Sequence, residues 1–337
     1  MPGSSWMTIC FIIVCCLRLA TSQAPELDRV GAAVNILRNF GDLDLEFRIT
    51  PRNDTERWVF NSDPVYVLKD INVRRKSFNG SIGQFRLEMC RGKDELLDSF
   101  FRHVTIEGVE QPWRAFSRGW SVSKEPRTLG VASALSYELG YLLLKLDMKR
   151  DEVLMTNQEI ELSTPAKELF EKIVVNDTKS VTEFQKKFGT HYIHSYSTGN
   201  SLFQVLTYRM KDFEYLERKL SSEGASNMTF AYLSKFFSPL YTKEIGQVMV
   251  TSGNFNSTVW ANGLMSRKYG KNESKFPSLF SLMWRPWLLD QFETLDSGAI
   301  TSLELKFIDR AFSEPSDRKE WFKEVTQYLV RLNEEQV

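Results

Sequence analysis

Three histidines and one cysteine are the side chains best suited to nucleophilic or metal chemistry in the predicted mature chain: His103, His191, His194 and Cys90. His191 and His194 are the pair to consider as metal ligands, because neutral imidazole is a common ligand. Residues three apart on a strand point to opposite faces, so this pair cannot easily share a metal ion. We interpret His191 as a hydrogen-bonded structural residue, with proton sensing as the alternative.

Motifs that mark common catalytic sites are absent from the sequence. There is no G-x-S-x-G, H-E-x-x-H, P-loop or G-x-G-x-x-G pattern. We therefore predict a protein that is not an enzyme and has no cofactor or metal site. Lys and Arg total 43, as do Asp and Glu, and the basic runs Arg74-Arg75-Lys76 and Lys149-Arg150 are short. This balance argues against nucleic acid as a partner, and we interpret the runs as solvated faces.

The N-terminus has the pattern of a secretory signal. The apolar run from Trp6 to Leu19 ends in Ala20-Thr21-Ser22, a small-x-small site. The run is shorter than the roughly 20 residues that span a bilayer. We predict that residues 1–22 are a signal peptide and that the protein is secreted, with a retained membrane anchor as the alternative.

Glycosylation motifs and cysteine usage bear on the same prediction. Cys10, Cys15 and Cys16 lie in the predicted signal, which leaves Cys90 without a partner for an intramolecular disulfide. We interpret Cys90 as a buried thiol, with an intermolecular bridge as the alternative. Six Asn-x-Ser/Thr acceptors are typical of a secreted glycoprotein: Asn53, Asn79, Asn176, Asn227, Asn256 and Asn272.

Apolar spacing predicts the elements that must position these residues. Residues 23–103 are predicted to be a helix and strand-rich part that packs on the main domain, with the helix at Pro25 to Phe40. Strand-like runs begin at Leu43 and continue past this boundary to about Val122. Residues 104–337 are predicted to form the main domain, with helices that start at Thr164 and near Phe213. The closing helix is predicted to bury Trp321, Val325, Tyr328 and Leu332 on one face. Aromatic clusters such as Trp284 and Trp287 are interpreted as core, with partner contacts as the alternative.

The segment from Phe188 to Asn200 predicts a joint between a helix and a β-hairpin. Ser180 and Glu183 read as a capping box, and Gly189 as a left-handed helix end. The strands are predicted at Thr190 to Tyr196 and Ser201 to Arg209, with a turn at Thr198-Gly199-Asn200.

The same segment resembles the motif of the membrane-attack-complex/perforin (MACPF) family, which is aromatic-Gly-Thr-His-aromatic, six residues, then glycines. The matching residues are Phe188, Gly189, Thr190, His191, Tyr192 and Gly199, with Asn200 at the usual second glycine. The resemblance is specific over Ser180 to Arg209 and weakest near the N-terminus. It implies an α+β fold, in which a bent central antiparallel sheet of four long strands is flanked by two helical clusters.

In lytic members of the family, the helical clusters unfurl into membrane-spanning hairpins. The second cluster is expected near Lys211 to Thr242, but Lys211 to Glu223 carries charges at both odd and even positions. Neither face of such a strand suits lipid. One uncharged stripe follows, although Asn227 and Pro239 oppose its insertion: Met228, Phe230, Tyr232 and Phe236. Pore formation is therefore the disfavoured alternative.

The resemblance is strongest to an insect branch of the family that lacks cysteine-rich modules. It implies an extracellular cue that patterns the embryonic termini and acts upstream of a receptor tyrosine kinase. The implied partners are a growth-factor-like ligand, the receptor pathway and the eggshell or perivitelline matrix. Membrane contact remains the alternative, and the oligomeric state is left open.

Overall fold

The computed structural model describes residues 29–43, 47, 49, 63–78, 84–223, 230–251, 279, 299–312 and 316–337. Two long antiparallel strands, β6 (Leu139–Met155) and β8 (His191–Arg209), run through the middle of its main sheet. Helices lie against this bent, mostly antiparallel sheet. The predicted α+β class is therefore confirmed.

The neighbours of β6 and β8 change halfway along both strands. The first half of β6 pairs with β4 (Gln84–Arg91), and its last residues pair with β3 (Val73–Ser77). β8 pairs first with β11 (Ala299–Phe307), and then with β10 and β9 (Met249–Thr251 and Glu244–Ile245). The change falls where the β6–β8 register shifts between Lys149 and Asp151, a bulge of the kind that bends a sheet.

The N-terminal segment adds a strand rather than the predicted helix. β1 (Ala33–Val34) pairs with the start of β8, and Gly31 N donates to Ile193 O over 2.8 Å. The prediction of a helix from Pro25 to Phe40 is wrong over its described residues, because pairing with β8 overrides the local apolar spacing. β1, β3 and β4 share one sheet with β6 and β8, while the division at residues 103 and 104 stays a prediction.

The remaining short strands lie at the edges of the fold. β5 (Val104–Ile106) pairs in parallel with β11, whereas β2 (Leu68–Lys69) and β7 (Glu161–Leu162) form a separate pair. The α-helices whose bounds the structure describes are α1 Gly92–Phe100, α2 Lys124–Thr128, α3 Thr164–Phe170, α4 Thr178–Phe188, α5 Met210–Glu223, α6 Phe230–Phe236 and α7 Asp317–Gln336. The start of α3 and the presence of α5 and α7 agree with their apolar spacing.

The buried face of α7 is rotated from the predicted one. Phe322, Val325 and Val330 are buried, whereas Tyr328 is 64% exposed. Thr326 also lies on the buried face and accepts a hydrogen bond from Gln185 Nε2 of α4 at 2.9 Å. The predicted stripe is therefore wrong at Tyr328, because α7 packs against α4 through this partly polar face.

The predicted helix and strand residues of the helix–hairpin joint agree with α4 and β8, but the predicted N-terminal helix cap and the predicted turn are wrong. Asp177, not Ser180, caps α4, and its carboxylate accepts from Lys179 N at 3.0 Å. β8 then continues without a turn through Gly199 and Asn200, because these residues pair with Lys149 and Met148 of β6. Ladder pairing with β6 outweighs the turn preference of the Gly-Asn sequence.

Two apolar clusters lie on opposite faces of the β6–β8 pair. Tyr141 and Leu143 belong to the larger cluster, while the alternating residues Leu142 and Leu144 belong to the smaller cluster beneath α5 and α6. This alternation follows from the period of two along a strand. In the described part of the chain, no helix has the length and apolar character required for a membrane span.

Candidate functional site

The start of the motif is a close junction between α4, β1 and β8. Gly189 ends α4 with a positive φ of 70°, as predicted, and its N donates to Gln185 O over 2.8 Å. Its ψ of −161° is extended and not left-handed helical, so the chain turns directly into β8. A Cβ at this position would lie within 3.0 Å of the Val34 carbonyl. Thr190 N donates to the same carbonyl over 3.0 Å. The junction therefore requires glycine for both conformation and space.

His191 is fully buried and makes two hydrogen bonds. Its Nε2 donates to the Glu107 carbonyl at 2.9 Å, and its Nδ1 accepts from the Thr190 hydroxyl at 2.8 Å. This tautomer follows from the carbonyl, which can only accept. Burial lowers the pKa of His191 to about 4. The ring is therefore neutral at physiological pH and joins β8 to the turn after β5.

The side chain of Glu107 extends the same connection to β11. Its carboxylate accepts from Phe307 N at 2.9 Å and from Arg310 Nε at 2.9 Å. Burial alone would raise the pKa of Glu107, but these hydrogen bonds lower it below its ordinary value. The backbone of Glu107 thus holds His191 while its side chain holds the end of β11.

His194 has a separate environment from His191. Its side chain is 16% exposed, and Nε2 lies 3.8 Å from Glu304 Oε2. Burial lowers its pKa, with a further contribution from the charge on Lys306. Across the residues that the structure describes, His, Cys, Asp and Glu form no group of three or more that could hold a metal ion.

The end of the motif lies at the bend of the sheet. Gly199 is opposite Lys149, and a Cβ on Gly199 would fall within 3.0 Å of the Met148 carbonyl. Asn200 is 4% exposed and pairs with Met148. It is not among the residues with positive φ, so asparagine at the position of the second glycine of the MACPF motif needs no unusual backbone conformation. Gly199 instead allows β6 and β8 to approach at the bulge.

A buried ionic cluster crosses β4, β6 and β8 on the face of the larger apolar cluster. Arg86 Nη2 lies 2.9 Å from Asp147 Oδ2, Ser201 Oγ donates to Asp147 Oδ1 at 2.7 Å, and Lys145 Nζ lies 3.6 Å from Asp147 Oδ1. Lys145 also donates to the carbonyl of Phe100 at the end of α1, over 3.4 Å. The cluster therefore connects α1 to three strands.

The protonation of this ionic cluster depends on its internal pairs. Burial lowers the pKa of Lys145, although the charge on Asp147 opposes this effect. Burial would raise the pKa of Asp147, but Lys145, Ser201 and Arg86 together lower it. The ionic cluster was not predicted from the sequence. Its sign in the sequence is that Lys145 and Asp147 interrupt the apolar run of β6 at alternating positions.

Helices α5 and α6 cover the opposite face of the same strands through the smaller apolar cluster. Phe213 lies against Gly140, where a Cβ would fall within 3.0 Å of the ring. Tyr208 Oη donates to Phe236 O over 3.0 Å, and Arg91 Nε donates to Glu217 Oε1 over 3.3 Å. These helices connect β8 to β9, which is the position expected for a second helical cluster.

The candidate membrane-inserting segment is helical where it is described. α6 begins at Phe230 and ends at Phe236, which is buried, and Tyr232 is half-buried. Met228 lies outside the described residues, as does Asn227. The structure therefore places Tyr232 and Phe236 against the smaller apolar cluster.

Other sequence-predicted residues are scattered. Asn176 is exposed and has a φ of 66° in the turn before α4. Cys90 is buried, and burial raises the pKa of its thiol to about 11, which agrees with an unreactive side chain. Trp321 packs on the larger apolar cluster. The predicted residues outside the described part are the signal at 1–22, Asn53, Asn79, Asn256, Asn272, Trp284 and Trp287.

Comparison with known proteins gives structural likenesses alone. No family model and no curated protein matches the sequence. GNIP1Aa from Chromobacterium piscinae is 11% identical with a TM-score of 0.47, and the match covers 90% of this chain and 57% of that protein. Astrotactin-2, described as a vertebrate-specific, perforin-like membrane protein, is 14% identical with a TM-score of 0.36, covering 82% and 40%.

A MAC/perforin-domain protein from Bacteroides thetaiotaomicron is 11% identical with a TM-score of 0.37, and the match covers 90% of this chain and 63% of that protein. The chain thus spans less than two thirds of each of these three proteins. Because the TM-scores lie below 0.5, these likenesses do not establish the family or the function of the chain.

Proposed function

We propose that this chain is a secreted, non-enzymatic protein of MACPF type that acts outside the cell by binding other proteins. The observation that carries the proposal is the charge pattern of α5, the helix that follows β8. A membrane-inserting protein of this architecture would have to convert that helix into a strand facing lipid. The sequence of α5 makes that conversion costly.

The charges of α5 occupy both faces of any such strand. Odd positions carry Lys211, Glu217, Lys219 and Glu223, and even positions carry Asp212, Glu214 and Arg218. Each Lys or Arg at the bilayer midplane costs about 2–4 kcal/mol, and acidic residues cost somewhat less. Conversion would also remove Phe213 and Leu216 from the apolar cluster that they share with β6 and β8.

The connectivity of the main sheet supports the MACPF architecture. Strands β4, β6, β8 and β10 are adjacent and antiparallel in that order. Helices α1 and α2 lie between β4 and β6 in sequence, and α5 and α6 lie between β8 and β10. This is the arrangement of four central strands and two helical clusters that the motif resemblance implies.

The finer proposal follows the resemblance of the sequence to Torso-like, an insect MACPF protein. On this proposal, the chain is an extracellular cue for terminal patterning, retained in the eggshell or perivitelline matrix. It enables a Trunk-like growth-factor ligand to accumulate or become active, and thereby promotes signalling by the Torso receptor tyrosine kinase. The absence of enzyme motifs supports action by contact and not by catalysis.

Receptor phosphorylation tests this proposal directly. Cells that display the receptor would receive conditioned medium containing the ligand, with or without the purified secreted chain. We expect phosphorylation to rise when ligand and chain are both present, and to stay at baseline with the chain alone. Equal phosphorylation with and without the chain, at matched ligand input, would contradict the proposal.

A second candidate function is local perturbation of a membrane. It is favoured by α6, which has uncharged residues at its even positions and packs mainly through apolar contacts with the sheet. Tyr232 and Phe236 would lie on one face of an extended strand. This candidate differs from the first in that purified chain should release the contents of lipid vesicles.

A further inference from the structure

Strand β3 is an exposed, basic edge of the main sheet. Among the described strands, it lies at one end of the sheet, and its neighbour on the other side is β6. All five of its residues, Val73 to Ser77, are exposed. Its sequence is Val-Arg-Arg-Lys-Ser, so three successive cations occupy a strand that pairs on one side only among the described strands.

Hydrogen bonds on either side of β3 establish which backbone groups face away from β6. Thr156 N donates to Asn72 O at 2.9 Å, and Phe78 N donates to Arg150 O at 2.8 Å. Backbone groups alternate along an antiparallel pair, so even-numbered residues face β6. The N–H and C=O groups of Val73, Arg75 and Ser77 therefore point outward, in the arrangement that an added strand can use.

The charges on this edge favour an acidic occupant. Within the described part of the chain, Arg74 and Arg75 take part in no ion pair, and Lys76 Nζ lies 4.6 Å from the centre of the Phe78 ring. Nearby Asp151 accepts from Ser77 Oγ at 2.5 Å, and Glu152 pairs with Lys149 at 3.6 Å. Those carboxylates are already engaged, and a second copy of β3 would be repelled by like charge.

We propose that β3 is a docking edge for an extended acidic segment of a partner protein. The segment adds as a strand beside β3, bonds to the backbone of Val73, Arg75 and Ser77, and places carboxylates near Arg74 and Lys76. Backbone pairing provides the binding register, and the cations select the charge of the partner. This inference rests on the proposed function in one respect: the chain binds an extracellular protein partner, and β3 is a surface that such a partner contacts.

A labelled peptide in which glutamate alternates with threonine tests this surface by fluorescence anisotropy. Purified chain should bind it, and Arg75→Ala should weaken binding by less than about twofold, because the Arg75 side chain lies on the opposite face of the strand from Arg74 and Lys76 and so meets the threonines. Arg75→Pro also removes an outward N–H that plays no part in the β6 ladder. Proline is tolerated at such an edge position, so this variant should bind about fivefold more weakly than Arg75→Ala.

A peptide of the same charge with proline at alternate positions separates strand addition from charge attraction. Equal binding of the two peptides, or equal loss in Arg75→Ala and Arg75→Pro, would overturn the proposal. So would a chain that ignores both peptides but binds a sulfated oligosaccharide or anionic vesicles. If Arg75→Pro unfolds, Arg74→Glu provides the test. Reversing a charge beside the peptide's carboxylates should weaken binding about tenfold, and an unchanged affinity would contradict the proposed placement of those carboxylates.

The peptide assay contains neither receptor nor ligand. Failure of peptide binding with normal stimulation of receptor phosphorylation would therefore refute the β3 surface and leave the proposed function intact. Normal peptide binding without stimulation of receptor phosphorylation would refute the proposed function and leave the β3 surface intact.

Discussion

His191 Nε2 donates to the backbone carbonyl of Glu107 over 2.9 Å, and this bond joins the first residue of β8 to the turn after β5. The ring is fully buried and packs on Phe307, with ring centres 4.4 Å apart. The motif histidine is thus an internal structural connection between β8, β5 and β11. Its protonation would place a charge in the core, and the nearby carboxylate of Glu107 offsets this cost only in part.

We predict that His191 makes the protein acid-labile. Its pKa falls from an ordinary 6.5 to about 4 on folding, because burial disfavours the charged ring. The unfolded chain therefore binds the proton more tightly. The contribution of neutral His191 to the free energy of unfolding is complete above pH 6.5. It is lost as the pH falls from 6.5 to about 4, which lowers the free energy of unfolding by roughly 3 kcal/mol.

Urea unfolding of wild-type and His191→Gln chains at about pH 7.5 and about pH 5 measures this effect. The variant should be less stable at neutral pH by about 1–3 kcal/mol, since a buried bond is lost. Its stability should also change less between the two pH values. His194→Gln should reduce the pH dependence less than His191→Gln does, because burial lowers the pKa of both rings but the His194 ring is partly exposed. An unchanged pH dependence in His191→Gln would refute this role.

The bend of the sheet should not tolerate a side chain at Gly199. Gly199→Ala places Cβ within 3.0 Å of the Met148 carbonyl, which belongs to the backbone and cannot move without disturbing β6. We expect a loss of about 3 kcal/mol or more in the free energy of unfolding. Gly119→Ala is the matched control, because its added Cβ meets only the flexible Lys124 Nζ at 3.1 Å. Similar melting temperatures for the two variants would be inconsistent with the bend geometry.

Lys145 and Asp147 should be energetically coupled. Asp147→Asn leaves a buried lysine without its carboxylate and should cost about 3–5 kcal/mol. Lys145→Met should cost less, because Arg86 and Ser201 still hold Asp147. In a double-mutant cycle, the free energy of unfolding lost in the double variant should be smaller than the sum of the losses in the two single variants by about 1–3 kcal/mol. Additive losses would argue against the ionic cluster.

This coupling should persist in mild acid. The pKa of Asp147 is lowered from its ordinary 3.8, so its stabilising contribution is present above that value. It is lost only as the pH falls below 3.8 through the lower pKa of the folded chain. Equal coupling energies at about pH 7 and about pH 5 are therefore expected, and a decline across that interval would contradict the assignment.

The contact between Gly140 and Phe213 should hold α5 against the sheet. Gly140→Ala inserts a methyl group within 3.0 Å of the Phe213 ring, so the helix must shift away from β6. Hydrogen exchange should become faster in residues 210–223 and stay unchanged in α4, which packs elsewhere. Unaltered exchange in α5 would show that this contact does not control its docking.

The sequence predicted those elements whose signals are local. The Thr164-Pro165 start of α3 and the apolar spacing of α5 depend on neighbouring residues, and both agree with the structure. β1 and the unbroken course of β8 depend on pairing with distant strands, so local propensity could not predict them. The motif indicated the fold class because its glycines and His191 make contacts that this sheet requires.

The residues of the candidate site also divide into those that a local sequence signal predicts and those that depend on distant contacts. Gly189 was expected to have a positive φ, whereas its contact with Val34 depends on the tertiary fold. The ionic cluster appears in the sequence only as interruptions of an apolar run. Its partners Arg86 and Ser201 lie on strands that are distant in sequence, and register alone brings them to Asp147.

Dye release from liposomes by the purified protein decides between action on other proteins and action on a membrane. Neutral and anionic vesicles should both be tried, at neutral and mildly acid pH. The charges of α5 predict release no greater than that of buffer. Release at stoichiometric doses that disappears in Tyr232→Glu would contradict the account and make the membrane the target of this protein.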